Sequence, residues 1–130
     1  MYKSTITGET AYTVGNNIPF VAQINSNSAT STGSGTVVLL KAGYYNIFAN
    51  INATGADAGN VTALITANGT ALTSSAQTQI STATTDSLCF NLIDTIHVQP
   101  AAYPSRVTLA VTLSAAATIN NANFIVQRVK

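Results

Sequence analysis

Few side chains in this sequence could perform acid–base or nucleophilic chemistry. The only imidazole belongs to His97, and the nearest carboxylate along the chain is that of Asp94. Nucleophilic catalysis needs a hydroxyl or thiol with a base in reach and a third group that orients the base. Because residues three apart in a strand point to opposite faces, Asp94 is not expected to orient His97. The run Gly33-Ser34-Gly35 lacks the Gly-X-Ser-X-Gly spacing of a nucleophile elbow, and we interpret it as a turn.

The acidic residues and the single cysteine do not form a recognisable site either. The acidic residues are scattered along the chain at Glu9, Asp57, Asp86 and Asp94. Glycoside hydrolysis would need two carboxylates that face each other. Cys89 lies between Leu88 and Phe90, which is typical of a small buried hydrophobic residue. One histidine and one cysteine cannot fill a tetrahedral zinc site, and the single carboxylate of Asp57 is insufficient evidence for calcium. The sequence predicts a protein that is not an enzyme and that uses no metal and no cofactor.

Composition restricts the partners as well. The chain has 130 residues, enough for one domain, and 46% of them are hydrophobic but only 7% are charged. A formal net charge of +1 offers no basic stripe for nucleic acid and no polybasic segment for an anionic membrane. A small domain normally stays soluble with about 25–35% charged residues at its surface. We therefore predict that much of the surface is covered, either by copies of the chain or by other proteins of an assembly.

No targeting segment is visible in the sequence. Residues 1–5 contain no apolar core of a secretory signal. The longest apolar run, residues 37–40, is much shorter than a membrane span. These features predict synthesis in the cytoplasm and no contact with a membrane.

Strand signals dominate the chain. Threonine, valine, isoleucine, tyrosine and phenylalanine occur in short alternating runs, separated by glycine, asparagine, serine and proline. The clearest strand is predicted over residues 44–52, and Asn68-Gly69 predicts a tight hairpin because both residues tolerate positive φ. Residues 25–35 are predicted to be a loop, and residues 73–85 are polar with a weak pattern. Eight to ten strands at this spacing predict an all-β sandwich or barrel.

The alternation also predicts which side chains face the core. In the strand over residues 44–51, one face carries Tyr45, Ile47, Ala49 and Ile51. Its other face carries large aromatics alternating with amides, namely Tyr44, Asn46, Phe48 and Asn50. A second strand repeats this arrangement, with Leu88, Phe90 and Leu92 on the core side and Cys89, Asn91 and Ile93 opposite. Exposed aromatics are costly in water but are enriched at interfaces, where charge is depleted. A sheet with one solvated polar face would also suit the amides.

Several segments follow one another in a characteristic order. Asn17-Ile18-Pro19-Phe20 precedes an apolar strand with an Ala42-Gly43-Tyr44 corner, and the Asn68-Gly69 hairpin and the closing residues 121–129 come later. This order resembles the tumour-necrosis-factor-like, complement-globular-head-like jelly roll. Within that family the chain is most similar to the bacterial and phage branch, found on phage virion proteins and at the tips of collagen-like spore-surface proteins. No Gly-X-Y stalk precedes the domain, which favours a virion component over a spore tip.

The resemblance implies an antiparallel jelly-roll sandwich that forms a homotrimer, with one sheet of each copy packed around a three-fold axis. On this basis the trimer interface is predicted to contain Tyr44, Asn46, Phe48, Asn50, Asn91, Ile125 and Gln127. Asn46, Asn91 and Gln127 would then form amide layers near the axis, and buried amides can fix the register of such contacts. We predict two parts of the chain: an amino-terminal anchor or arm over residues 1–14 and a jelly roll over residues 15–130.

Two functions from different classes remain open at this point. The first is a trimeric capsid decoration or head-fibre protein on the virion surface, bound to the major capsid protein or other virion proteins. The second is a receptor-binding or adhesin head that recognises host-surface glycans. Tyr103, which lies between Pro100 and Pro104, and the nearby Arg106 are the candidate ligand-binding residues for that second function.

Overall fold

The chain folds into two packed antiparallel β-sheets. The computed structural model describes residues 1–33, 35–56, 58–81, 86–99 and 107–129. Within these residues it contains a short 3₁₀ turn at Thr73–Ser75 and twelve strands. The strands are β1 Tyr2–Ile6, β2 Thr10–Tyr12, β3 Val21–Ile24, β4 Ala29–Gly33, β5 Thr36–Leu39, β6 Gly43–Gly55, β7 Gly59–Ala67, β8 Thr70–Ala71, β9 Gln77–Ser81, β10 Ser87–Val98, β11 Val107–Leu113 and β12 Ala117–Arg128. The fold is the predicted all-β jelly-roll sandwich.

Each sheet contains six of these strands. The front sheet has the order β10-β6-β12-β1-β3, with β2 also paired to β12. The back sheet has the order β4-β5-β11-β7-β8, with β9 also paired to β7. In the front sheet β1 pairs with β12, so this sheet is complete only when the two ends of the chain meet. The long strands β6, β10 and β12 lie side by side and form one half of the front sheet.

The core lies between the two sheets and follows the predicted alternation. Tyr45, Ile47, Ala49 and Ile51 of β6 are buried, as are Leu88, Phe90 and Leu92 of β10. Phe20 and Phe124 contact each other with ring centroids 5.2 Å apart. Burial of one aliphatic or aromatic side chain contributes about 1.5–3 kcal/mol, so this face determines which way each strand is turned. The predicted core faces of β6 and β10 are therefore confirmed.

Two polar segments form strands that the sequence analysis did not predict. Residues 25–35 were predicted to be a loop, but Ala29–Gly33 is β4 and pairs with β5. Gln77–Ser81 is β9 and pairs with β7. Both are edge strands rich in serine, threonine or glutamine, so the hydrophobic alternation that reveals a half-buried strand is weak in them. The predicted number of eight to ten strands is correspondingly too low.

The predicted boundary at residue 14 is corrected by the pairing of β1 and β2. β1 lies between β12 and β3 inside the front sheet, and β2 pairs with β12. Tyr2 and Tyr12 are buried, and the hydroxyl of Tyr12 donates a hydrogen bond to the carbonyl oxygen of Leu113 at 3.1 Å. Residues 1–14 are therefore part of the sandwich and not an arm beside it.

Two tight turns depend on glycine or asparagine with positive φ. Asn68 and Gly69 join β7 to β8 with φ values of 51° and 81°, so the predicted hairpin is confirmed. Gly35 precedes β5 with a φ of 77°, and a Cβ atom there would overlap the carbonyl oxygen of Ile18. Gly35 is required both by its backbone conformation and by this close approach.

Candidate functional site

Among the described residues, the side chains that could perform acid–base chemistry do not come together. Asp94 and His97 point to opposite sides of β10, as expected, and the carboxylate of Asp94 accepts the backbone N–H of Thr95 at 2.8 Å. The ring of His97 stacks on that of Tyr44, and its Nδ1 lies 3.1 Å from Nε2 of Gln99. Among the described residues no group of three histidine, cysteine, aspartate or glutamate side chains could hold a metal ion. His97 is therefore placed by packing against an aromatic ring rather than by a carboxylate.

Cys89 is exposed, which corrects the prediction that it is buried. Leu88 and Phe90 on either side point into the core, so alternation places Cys89 on the outer face of the front sheet. Its backbone N–H donates to Oε1 of Gln79 at 2.9 Å, and its carbonyl oxygen accepts Nε2 of the same residue. The sequence neighbours of Cys89 are buried, but they lie on the other side of the strand.

The most distinctive surface of the molecule is the outer face of the front sheet over β10, β6 and β12. We call it the amide face. Its side chains are mainly amides and large apolar groups: Tyr44, Asn46, Phe48, Asn50, Asn52, Asn91, Ile93, Asn121, Asn123, Ile125 and Gln127. The register places these residues in rows that run across the three strands, so strand pairing rather than a loop positions each side chain.

One row across the amide face is apolar, and amides lie on both sides of it. Phe48 of β6 is paired with Ile93 of β10 and with Ile125 of β12. On one side, Asn50 is paired with Asn91 and Asn123. On the other side, Asn46 is paired in the same way with Thr95 and Gln127. The face therefore offers an apolar ridge with hydrogen-bonding groups along both flanks.

The amides are already ordered by hydrogen bonds to one another. Nδ2 of Asn50 donates to Oδ1 of Asn91 at 2.6 Å, and Nδ2 of Asn52 donates to Oδ1 of Asn121 at 2.7 Å. Nδ2 of Asn52 also lies 3.2 Å from Oδ1 of Asn50, which joins the two pairs. This chain of amides holds the side chains in fixed positions across three strands, so a partner would meet a preorganised surface.

All seven residues predicted for the trimer interface lie on this face. Tyr44, Asn46, Asn91 and Gln127 are exposed, and Phe48, Asn50 and Ile125 are half-buried by their neighbours. Whether copies of the chain cover them stays a prediction. The two residues predicted to bind a glycan, Tyr103 and Arg106, lie outside the described residues.

The sequence analysis missed two members of the amide network, Asn52 and Asn121. The alternation of β6 would have revealed Asn52 if it had been followed for two more residues. Asn121 lies two residues before Asn123 on the same outward side of β12, so following that alternation backwards would have revealed it as well. The register between β6 and β12 then places it beside Asn52.

Neither of the two described clefts lies over the centre of the amide face. One of about 440 Å³ lies next to Tyr12, Asn17 and Pro19, and one of about 260 Å³ lies next to Ser26 and Arg128 and reaches the amide face only at Gln127. Small-molecule sites are usually concave and partly enclosed, so the geometry of the amide face suits a macromolecular contact. No helix in the described part of the chain is long and apolar enough to cross a membrane.

Comparison with known proteins shows the fold alone. No protein-family model matches the sequence, and no curated protein does. Among solved structures, the Eiger TNF of S. frugiperda superposes with a TM-score of 0.70 at 10% identity, covering 99% of this chain and 93% of that one. Murine APRIL at pH 5.0 superposes with a TM-score of 0.69 at 8% identity, covering 95% and 96%. The chain is thus a TNF-like jelly roll.

Proposed function

We propose that this chain is a non-enzymatic structural protein that forms a homotrimer through the amide face and decorates a phage capsid or forms a short head fibre. The observation that carries the proposal is the amide face itself. It combines an exposed tyrosine, a phenylalanine and two isoleucines with a hydrogen-bonded amide network, and none of its members is charged. Charge depletion and aromatic enrichment are typical of the buried centre of a protein interface.

The exposed apolar groups support coverage of this face. Ile93, in the middle of the long strand β10, is 69% exposed. Tyr44, at the beginning of the long strand β6, is 47% exposed. Covering such side chains is favourable by about 25 cal/mol per Å² of apolar surface. With only 7% charged residues the chain also has few other means of keeping a large exposed surface in solution.

The number of copies and the virion role rest on the resemblance. It implies three copies with this sheet turned toward a common axis, and the amide rows would then meet their equivalents around that axis. The family that the chain resembles also includes phage virion proteins. This supports the major capsid protein or another virion protein as the partner. Because residues 1–14 are built into the front sheet, attachment is expected to use a surface of the folded domain.

The first test is the mass of the purified full chain in solution, measured by light scattering and native mass spectrometry over a dilution series. We expect a species of three chains. Phe48→Asp should convert it to a folded monomer. Leu64→Asp, at a half-buried outward position of the back sheet, is the matched control and should leave the trimer intact. A wild-type monomer, or equal effects of the two substitutions, would contradict the proposed interface.

The virion role needs its own test. An antibody raised against the purified chain would be applied to phage particles released from cells that encode it, and labelled particles would be imaged by electron microscopy. We expect label on the head of intact particles. Label confined to cell debris, with clean particles, would rule out a virion protein while leaving the trimer unaffected.

A further inference from the structure

A cleft of about 440 Å³ lies where the chain passes from β2 to β3, and we call it the β2–β3 cleft. Its lining comes from residues 11–19 and includes Tyr12, Thr13, Asn16, Asn17 and Pro19. Sites for small ligands usually enclose about 300–1,000 Å³. The size of the β2–β3 cleft therefore suits a small ligand or one unit of a larger one.

The wall of the β2–β3 cleft is fixed by hydrogen bonds to β11. The hydroxyl of Tyr12 lies 2.6 Å from the carbonyl oxygen of Asn16 and accepts the backbone N–H of Leu113 at 3.1 Å. Further along, the backbone N–H of Ile18 donates to the carbonyl oxygen of Val111 at 2.8 Å. Because two points of the connection are tied to one strand, the cleft is formed before a ligand arrives, which reduces the entropy lost on binding.

The polar side chains that line the cleft have no partners of their own. Those of Thr13, Asn16 and Asn17 make no hydrogen bond within the described part of the chain, although Asn17 is half-buried. The amide face differs in this respect, since Asn50 and Asn91 there are bonded to each other. The donors and acceptors of the β2–β3 cleft are thus free to bind a ligand.

The lining selects one class of ligand. Each amide offers two donors and an acceptor, and a hydroxyl both donates and accepts, which matches the hydroxyl groups of a sugar. Ala11 and Pro19 add apolar surface for the C–H face of a sugar ring. Tyr12 is only 3% exposed, so no open ring face is offered to a flat aromatic ligand.

The charge of the lining narrows the class further. None of the described residues that line the β2–β3 cleft is charged. A carboxylate or phosphate that entered it would lose water without gaining an opposite charge, which is unfavourable. The cleft therefore favours a neutral sugar over an acidic one.

We propose that the β2–β3 cleft binds a neutral hexose unit of a polysaccharide. The amides of Asn16 and Asn17 and the hydroxyl of Thr13 bond the sugar hydroxyls, and Pro19 contacts the ring. This activity goes beyond the proposed structural role and needs no second copy of the chain, because every lining residue belongs to one copy. A virion protein with this site would hold its particle on a neutral polysaccharide surface.

The binding test is a titration of the full chain with the methyl glycosides of glucose, galactose and mannose, followed by amide proton–nitrogen NMR. We expect at least one glycoside to shift the signals of residues 11–19 saturably and to leave those of residues 25–28 unchanged. The uronic acid derived from the same sugar is the charged control and should bind at least tenfold more weakly.

Substitutions at exposed positions test the contacts without disturbing the core. Thr13→Val keeps the shape of the side chain but removes its hydroxyl, and Asn16→Ala removes an exposed amide. Each should weaken binding at least fivefold. Asn27→Ala removes an exposed amide at the other end of β3 and should change the affinity less than twofold. Thermal melts of all three variants would verify that they are folded.

The outcomes separate this inference from the proposed function. If none of the three glycosides gives saturable shifts, or if the shifts map outside residues 11–19, the sugar site is wrong. Equal effects of Asn16→Ala and Asn27→Ala would also contradict it. A trimer that binds no sugar would overturn only the sugar site, whereas a monomer that binds sugar at residues 11–19 would support the site and overturn the proposed trimer.

Discussion

The rings of Tyr44 and His97 lie flat against each other, with centroids 4.2 Å apart and an interplanar angle of 7°. The two residues are directly paired across β6 and β10 at one end of the amide face. Each ring shields one side of the other from water, so the pair is a local unit that stabilises this end of the front sheet.

We expect His97→Ala to lower the free energy of unfolding by about 0.5–1 kcal/mol, because the Tyr44 ring loses its stacking partner. His97→Phe keeps a flat ring at the position and should restore most of that loss. Urea unfolding followed by circular dichroism at one fixed protein concentration would measure both. If the two variants are equally destabilised, the imidazole acts through its contact with Gln99 and not through stacking.

Gly35→Ala should destabilise the protein strongly. An added Cβ would overlap the carbonyl oxygen of Ile18, and the positive φ already costs an alanine about 1–2 kcal/mol. Gly15→Ala is the matched control, since Gly15 has a φ of 93° but open space around it. Thermal melts should therefore show a clearly larger loss for Gly35→Ala. Equal losses would mean that backbone strain alone accounts for the effect.

Ser4→Ala is expected to leave stability unchanged or raise it by about 1 kcal/mol. The hydroxyl of Ser4 is completely buried within β1 and has no hydrogen-bond partner in the described part of the chain, and such a group costs about 1–3 kcal/mol. Ser81 is buried to a similar degree but takes part in a polar interaction, so Ser81→Ala should be destabilising. A loss of stability in Ser4→Ala, measured by chemical unfolding, would show that its hydroxyl is satisfied in solution.

Removal of residues 1–14 should prevent folding and not merely release an anchor. The deletion takes β1 and β2 out of the front sheet, removes the buried Tyr2 and Tyr12, and exposes one edge of β12. We expect an insoluble or unfolded product, judged by soluble yield and circular dichroism. A truncated chain with the wild-type melting temperature would instead restore the interpretation of these residues as an arm.

The amino-acid sequence by itself determined the features that depend on local periodicity. Alternation identified the inward faces around Tyr45 and Phe90, and the conformational tolerance of Asn68-Gly69 identified its hairpin. Alternation also placed Tyr44, Asn46 and Phe48 together on an outward face before any pairing was known. Each of these follows from steric properties of a residue and its immediate neighbours.

Only the tertiary structure decided the features that depend on pairing between distant strands. Residues 1–14 joined the sheet because β1 meets β12, more than a hundred positions away, and no local pattern contains that contact. That Asn121 lies beside Asn52 follows from the register between β6 and β12, which pairs two distant strands. Strand order and register are set by the whole core at once, because a shift of one residue would turn every buried side chain toward water.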